Sequence, residues 1–217
     1  MYLQEVEIVM ETVENERPII AAFDFDGTLT YRDTLIDFLF FVAGPFKTIF
    51  YLLLQVPTLL AFVFGMATRQ QTKERILEQF FEGMPLEELK KKGKAFAKER
   101  LFRRLRPEGL LRLQWHLHKG HRCILISASL DMYLEHWAQF AGFHDALTSR
   151  LAADDEGKVT GKLVGLNCRS EEKVRRLKEL LGSLDNYQIY AYGDSKGDKE
   201  LLEVADYPFY RKMPVKH

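Results

Sequence analysis

Two carboxylates directly follow a short apolar run near the start of the chain. The run at 19–23 is followed by Asp24, Phe25, Asp26 and Gly27. Residues two apart on a strand point the same way, so Asp24 and Asp26 are expected to project together. Burying two carboxylates side by side is costly unless a cation neutralises them. The pattern therefore predicts a buried strand that ends at a site for cation-dependent chemistry; the alternative is a loop pair that serves as a turn and helix cap.

Strand-like and helical patterns alternate along most of the chain. Apolar runs that end in small and polar residues recur at 121–129 and 187–194, and helical patterns follow at 131–142 and 170–182. Residues 147–165 have the pattern of a β-hairpin. Strands that alternate with helices predict an α/β fold, a doubly wound parallel sheet with its site at the carboxyl ends of the strands.

One long segment does not fit this alternation. Residues 33–107 contain only helical runs, broken at Gly44-Pro45, Pro57, Gly65, Gly83 to Pro85 and Gly93. The predicted organisation is an N-terminal leader at 1–17, a core formed by 18–32 and 108–217, and an all-helical cap at 33–107. The leader is acidic, without the basic start and apolar run of a secretory signal, and the two cysteines form no CxxC pair. We therefore expect a cytoplasmic protein with reduced thiols.

A second acidic motif follows the apolar run at 187–194. Asp194 and Asp198 are four residues apart in the sequence GDSKGD, and with Asp24 they offer the hard oxygen ligands that suit Mg²⁺. Ser127 ends the stretch CILIS at 123–127, and Lys173 lies early in a helical pattern. Taken singly, these two are as well explained by a structural hydroxyl and a solvated lysine.

The four features together resemble the haloacid dehalogenase-like (HAD) phosphohydrolase superfamily. DFDGTLT resembles its first motif, ISAS its second, the lysine of SEEKVRRL its third and GDSKGD its fourth, in the same order along the chain. The end of the chain resembles subfamily IB, the phosphoserine phosphatase-like group. This resemblance implies a HAD/Rossmann-like core that carries a helical cap, and a phosphomonoester as substrate.

The resemblance also implies a role for each matching residue. Asp24 would attack phosphorus and form an aspartyl phosphate, while Asp26 would act as general acid and then general base. A Mg²⁺ cofactor would be held by Asp24, Asp194 and the backbone carbonyl of Asp26, with Asp198 supporting these ligands. The resemblance assigns the phosphate oxygens to Thr28, Ser127 and Lys173.

The cap contains an uncharged stretch of membrane-spanning length. Residues 48–68 carry no charge over 21 positions. A single crossing would place Asp24 and Asp194 on opposite sides of a bilayer, so one crossing is excluded. Breaks at Gly44-Pro45 and Pro57 divide the region into pieces of about ten residues, too short to cross. We expect a shallow helical hairpin in one leaflet; the alternative is that these helices pack on one another.

A basic segment follows this apolar stretch. Residues 90–106 contain nine basic residues against Glu99 alone, although the whole chain balances 31 basic with 31 acidic residues. Phe96, Leu101, Phe102 and Leu105 are interleaved and predict an amphipathic helix. Apolar and polybasic signals together predict peripheral attachment to an anionic membrane surface on the cytoplasmic face. Nucleic acid is not expected as a partner, because no exposed aromatic platform accompanies the basic residues.

The apolar cap resembles that of phosphatidylglycerophosphatase C, a subfamily IB relative, and NCRSEEKV points to the same branch. This resemblance implies a lipid phosphate substrate, such as phosphatidylglycerol phosphate or a lysolipid phosphate. Two alternatives stay open: a soluble phosphatase for a small metabolite such as phosphoserine, and a non-catalytic membrane-surface module on a HAD scaffold. The sequence does not indicate an oligomeric state.

Overall fold

The computed structural model describes residues 17–214, so the predicted leader lies outside the described residues except for Arg17. The strands are β1 (Ile19–Phe23), β2 (Arg122–Leu130), β3 (Asp145–Ser149), β4 (Leu151–Ala153), β5 (Val159–Leu163), β6 (Gln188–Gly193) and β7 (Tyr207–Tyr210). The α-helices are α1 (Leu35–Ala43), α2 (Pro45–Leu54), α3 (Val56–Val63), α4 (Arg69–Phe81), α5 (Leu86–Glu99), α6 (Pro107–His118), α7 (Asp131–Ala141), α8 (Glu171–Leu181) and α9 (Lys199–Glu203). Three short 3₁₀ helices lie at Leu101–Arg104, Leu184–Asn186 and Lys196–Asp198.

Five strands form one parallel sheet in the order β3-β2-β1-β6-β7. Strand β1 lies at its centre, where Ala21 pairs with Cys123 of β2 and with Tyr190 of β6. Ile20 through Phe23 are all buried, as expected of a strand covered on both faces. The prediction of a parallel α/β fold is confirmed.

Alternate residues of the central strands enter two separate cores. Phe23 of β1 and Tyr192 of β6 belong to a large cluster on one face, and their rings stack at 4.4 Å. Ile20, Ala22 and Ile189 belong to a smaller cluster on the other face. This alternation follows from the two-residue period of a strand, and it places helices on both faces of the sheet.

The region predicted as one hairpin has two parts. Its first residues belong to β3, which pairs with β2 in the main sheet, and only β4 and β5 form the antiparallel hairpin. Leu147 of β3 packs against the smaller core, which accounts for its place in the main sheet. The turn of the hairpin is held by Asp154, whose side chain accepts from the backbone N–H groups of Glu156 and Lys158.

Helices α1 to α5 lie between β1 and β2 in the chain. The predicted fold class, a parallel sheet with an inserted helical segment, is confirmed in this respect. Gly93, expected to break a helix, lies inside α5 instead. A Cβ atom built on Gly93 would lie 2.3 Å from the backbone oxygen of Met132 on α7. The glycine therefore allows close approach of two helices rather than marking a boundary.

The uncharged stretch forms α2 and α3, ten and eight residues long. Their axes differ by 49°, so the pair is bent rather than the predicted hairpin. The junction residue Gln55 has helical backbone angles, and its N–H still bonds to the carbonyl of Tyr51. The chain therefore bends at this residue but does not reverse its direction. Within residues 17–214, no single helix has the length and apolar character to cross a membrane, but this bent pair meets both criteria together.

Most apolar side chains of α2, α3 and the following turn are exposed. In α3 no residue is buried, and in α2 only Thr48 is. We call the exposed apolar side chains of this region the α2–α3 surface; it comprises Phe46, Ile49, Phe50, Leu53, Leu54, Val56, Leu59, Leu60, Val63, Phe64 and Met66. The alternative that these helices bury their apolar residues against one another does not describe this structure.

The basic segment does not form the expected single amphipathic helix. It runs through α5 and the 3₁₀ helix Leu101–Arg104. Phe96 and Leu101 are buried in the large core, and only Phe102 of the predicted apolar face is well exposed. The apolar side of α5 packs on α7 and α1 and is therefore not available to a membrane.

Candidate active site

Asp24 is the first residue after β1, at the carboxyl end of the central strand. Its Oδ1 accepts from the Lys173 ammonium at 2.6 Å, and its Oδ2 accepts from the Thr28 hydroxyl at 3.0 Å. Burial raises the pKa of Asp24 to about 6 against the opposing effect of Lys173. The carboxylate is thus fixed in orientation by two donors.

Asp26 lies beside it and is held by two other groups. Its Oδ1 accepts from the backbone N–H of Thr34 at 2.8 Å, and its Oδ2 accepts from the Ser129 hydroxyl. Burial, together with the negative charge of Asp33, raises the pKa of Asp26 to about 7. A carboxyl group that titrates near neutrality can both give and take a proton, as a general acid and base must.

Lys173 connects the first and fourth motifs. It lies in the first turn of α8, and its ammonium also donates to Asp198 Oδ1 at 2.6 Å. Burial disfavours the charged lysine, but these carboxylates raise its pKa above the usual value. Asp198 Oδ2 accepts from the backbone N–H groups of Asp194 and Ser195. Asp198 therefore orders both the lysine and the loop that carries Asp194.

The acidic residues form a group suited to a divalent cation. Ligand oxygens of Asp24, Asp194 and Asp198 all lie within 4.8 Å of one another. Burial and then the charge of Asp198 raise the pKa of Asp194. A Cβ atom on Gly27 would lie 2.3 Å from Asp194 Oδ2, so the glycine makes room for this carboxylate. Three carboxylates beside one ammonium leave excess negative charge, and their hard oxygens fit Mg²⁺.

The structure brings all the predicted site residues to the same end of the sheet. One of them, Thr28, contacts Asp24. Ser127, in the carboxyl-terminal half of β2, lines the cavity that contains Asp24, and its hydroxyl accepts from the backbone N–H of Ser129. Thr28 was assigned to phosphate oxygens, but it is buried and its hydroxyl donates to Asp24. This contact orients the carboxylate.

Several polar residues of the site carry no motif signal of their own. The hydroxyl of Ser129 was visible only as the last letter of ISAS, and Lys73, Arg69 and Arg169 were not identified. Lys73 of α4 donates to the backbone oxygen of Ala128 and to Asn167 Oδ1. Lys73 and Arg69 come from the cap, and Arg169 comes from the loop before α8. Only the folded structure brings them together.

The site opens into a cavity of about 650 Å³ between core and cap. Its polar floor contains the carboxylates and Ser127, and its apolar wall comes from the cap. The wall residues are Leu35, Ile36, Leu59, Phe62 and Ile76. Leu59 and Phe62 belong to α3, the helix whose outer side chains form part of the α2–α3 surface.

Comparison with known proteins agrees with this architecture. The sequence profile of the haloacid dehalogenase-like hydrolases matches residues 21–203. The chain belongs to this family. It is 37% identical over 194 residues to Protein CicA of Caulobacter vibrioides, covering 89% of this chain and 86% of that relative.

Several solved structures share this fold. A Bordetella pertussis protein of unknown function superimposes with a TM-score of 0.74 at 23% identity, covering 86% of each chain. A phosphoserine phosphohydrolase-like protein from Francisella tularensis gives 0.61 at 19% identity, covering 86% of this chain and 82% of that one. A substrate-bound phosphoserine phosphatase gives 0.59 at 18%, covering 88% and 84%.

The predictions of a HAD-family enzyme and of a phosphoserine phosphatase-like fold are confirmed. Family membership and this fold support a phosphatase. Subfamily IB also fits these neighbours.

Proposed function

We propose that this HAD hydrolase is a Mg²⁺-dependent phosphatase that forms an aspartyl phosphate on Asp24 and acts on a lipid phosphomonoester at a membrane surface. The observation that carries the proposal is the position of α3. Its residues Leu59 and Phe62 line the active cavity, whereas Leu60 and Val63 face solvent. A substrate with a phosphate head and an apolar tail matches a cavity with a charged floor and an apolar wall.

The chemistry follows from the two aspartates. An oxygen of Asp24 attacks phosphorus and the bond to the ester oxygen breaks, while Asp26 donates its proton to the departing alkoxide. Asp26, now ionised, then takes a proton from a water that attacks the phosphoaspartate, which releases phosphate and restores the Asp24 carboxylate. Lys173 and Thr28 keep Asp24 in position through both steps.

Mg²⁺, when bound, would neutralise charge on the transferring phosphoryl group. Asp24, Asp194 and the backbone carbonyl of Asp26 are the residues proposed to hold it, with Asp198 behind them. Ser127 and Lys173 are proposed to contact the phosphate oxygens, because both line the cavity beside Asp24.

The membrane part of the proposal is supported by the α2–α3 surface. Phe46, Val63, Phe64 and Met66 are each more than 70% exposed. Contiguous apolar patches of this kind are uncommon on soluble monomers and are typical of binding surfaces. Anionic lipid is the proposed contact because the basic segment at 90–106, which follows along the chain, carries a local excess of positive charge. The proposed location is the cytoplasmic face of a membrane.

A substrate panel tests the proposal. Purified protein is assayed with Mg²⁺ against phosphatidylglycerol phosphate and lysophosphatidic acid in mixed vesicles, and against soluble phosphoserine, with Asp24→Asn as the inactive control. We expect kcat/KM for a lipid substrate to exceed that for phosphoserine by at least about tenfold, since apolar contacts add binding energy. A preference for phosphoserine would favour the soluble alternative, and no Mg²⁺-dependent hydrolysis at all would favour the non-catalytic module.

A further inference from the structure

Two arginines from different parts of the chain line the active cavity together. Arg69 is the first residue of α4 in the cap, and its guanidinium lies 5.1 Å from the ring centre of Phe62. Arg169 lies in the core loop before α8. Both line the cavity that contains Asp24, so they reach it from its cap side and its core side.

The position of Arg169 is fixed by the fold. A Cβ atom on Gly197 would lie 2.3 Å from the Arg169 Cζ, so the guanidinium occupies the space that this glycine leaves open. The next residue, Ser170, has a φ of 54° and donates its backbone N–H to the carbonyl of Gly197 at 2.8 Å. A non-glycine residue in this region is strained, and such strain is found where the surrounding structure imposes a conformation.

Neither arginine has an acidic partner. Among residues 17–214, no ion pair involves Arg69 or Arg169, whereas Arg104 pairs with Asp37 and Arg176 with Glu172. The pKa of Arg69 lies below its usual value, first because of partial burial and then because of the positive charge of Arg169. Two like charges held near each other are unfavourable until an anion binds between them.

The transferring phosphoryl group has its own contacts elsewhere in the cavity. Lys173 lies against Asp24, and Ser127 lies in the neighbouring strand β2 and lines the same cavity. The planar guanidinium fork binds oxyanions through two parallel hydrogen bonds, so two such forks form a strong second site. We propose that Arg69 and Arg169 bind a second anionic group of the substrate, a phosphodiester or carboxylate, distinct from the phosphate that is hydrolysed. This deepens the proposed phosphatase function and rests on it.

The inference restricts the substrate class. A phosphomonoester whose remainder is neutral would leave the two arginines unpaired, whereas one that carries a further oxyanion would neutralise them. Lysolipid phosphate belongs to the first class, and phosphatidylglycerol phosphate and phosphoserine belong to the second. The second anion is therefore a specificity feature that is separate from the apolar wall.

Soluble probes test it without a membrane, so that the second anion can come only from the substrate. The probes are glycerol 3-phosphate, glycerophosphoglycerol phosphate with its phosphodiester, and phosphoserine with its carboxylate. The measured quantity is the ratio of kcat/KM for each probe with a second anionic group to that for glycerol 3-phosphate. We expect wild type to prefer at least one probe with a second anionic group, and Arg69→Gln and Arg169→Gln each to reduce that ratio by about tenfold or more. The preferred probe identifies the second anion.

Control variants distinguish loss of the arginine charge from loss of the folded structure. Arg75→Gln removes an exposed arginine of the same helix that does not line this cavity, and it should leave the ratio unchanged. Arg169→Lys keeps the charge and should retain part of the preference, which a misfolded variant would not. A ratio that is equal in wild type and both glutamine variants would overturn the inference while leaving the phosphatase proposal intact. Absence of hydrolysis of every phosphomonoester, with or without vesicles, would overturn both.

Discussion

Lys173 and Asp24 form an ion pair of 2.6 Å in which the lysine side chain is 2% exposed and the aspartate side chain 10%. The same ammonium pairs with Asp198, so it compensates two buried carboxylates at once. Removing one member of a buried charge group leaves the others desolvated and uncompensated, which is more costly than losing a surface pair.

Lys173→Met should therefore lower the free energy of unfolding by about 3–5 kcal/mol in the metal-free protein. The measurement is urea unfolding followed by circular dichroism. Lys178→Met, at an exposed position on the same helix, is the matched control and should change stability by less than about 0.5 kcal/mol. A similarly small loss for Lys173→Met would show that the pair contributes little.

Gly27→Ala should impair the acidic group rather than the fold as a whole. The added Cβ would lie 2.3 Å from Asp194 Oδ2, and the φ of 84° at this position favours glycine. We expect Mg²⁺ to activate the variant only at concentrations raised by about tenfold or more, because Asp194 must move. Activity measured across a Mg²⁺ titration checks this, with Gly120→Ala as a control at a glycine of similar φ and open surroundings. Equal activation midpoints for Gly27→Ala and wild type would contradict the role given to Asp194.

The pH profile of kcat/KM should report Asp26. The group must be protonated to serve the leaving alkoxide, and its pKa of about 7 means that activity on an alkyl phosphate declines as pH rises above that value. Asp33→Asn removes a negative charge that raises this pKa, so the alkaline limb should move to lower pH. Ser129→Ala removes a hydrogen bond that lowers it, so the limb should move to higher pH. Shifts in the same direction for both variants would assign the limb to another group.

The α2–α3 surface should bind anionic vesicles. Co-sedimentation with vesicles rich in phosphatidylglycerol is expected for the wild type, and the double variant Val63→Glu, Phe64→Glu should reduce the bound fraction by at least about tenfold, because apolar burial is replaced by charge repulsion. Phe140→Glu on α7 changes a side chain that is 90% exposed but lies outside this surface, and it should bind as wild type does. Equal binding by all three proteins, or by none, would contradict a membrane role for α2–α3.

The centre of the core was predictable because its three central strands, β1, β2 and β6, each carry a local signal. The apolar run before Asp24, the run ending at Ser127 and the run before Asp194 each specify a buried strand, and parallel strands place their carboxyl ends at one edge. Strand β3 was partly included in the predicted hairpin rather than in the main sheet, and β7 was missed, because neither is a strongly apolar run. In β7 three of four residues are exposed, so its place depends on pairing with β6 rather than on its own composition.

The cap was less predictable because contacts between helices decide it. Gly93 has the same sequence signature as a helix-breaking glycine, yet it is required by the carbonyl of Met132, 39 positions away along the chain. Phe96 and Leu101 fit an amphipathic membrane helix equally well, and only α7 and α1 show that they face a protein core. The periodicity of apolar residues predicts that a helix has an apolar side, but it does not predict whether protein or lipid covers that side.

Helix α4 is fastened to the core along its length. Lys73 donates to the backbone oxygen of Ala128 in β2, and Gln70 accepts from the backbone N–H of Asn167. Gly161 of β5 lies so close that a Cβ there would be 2.3 Å from the Cα of Glu78. A helix attached in this way cannot swing as a lid without breaking these contacts. Any widening of the cavity is therefore expected to come from α2 and α3, whose outer side chains are exposed. We expect the medium that surrounds those two helices to influence how often a substrate enters and a product leaves.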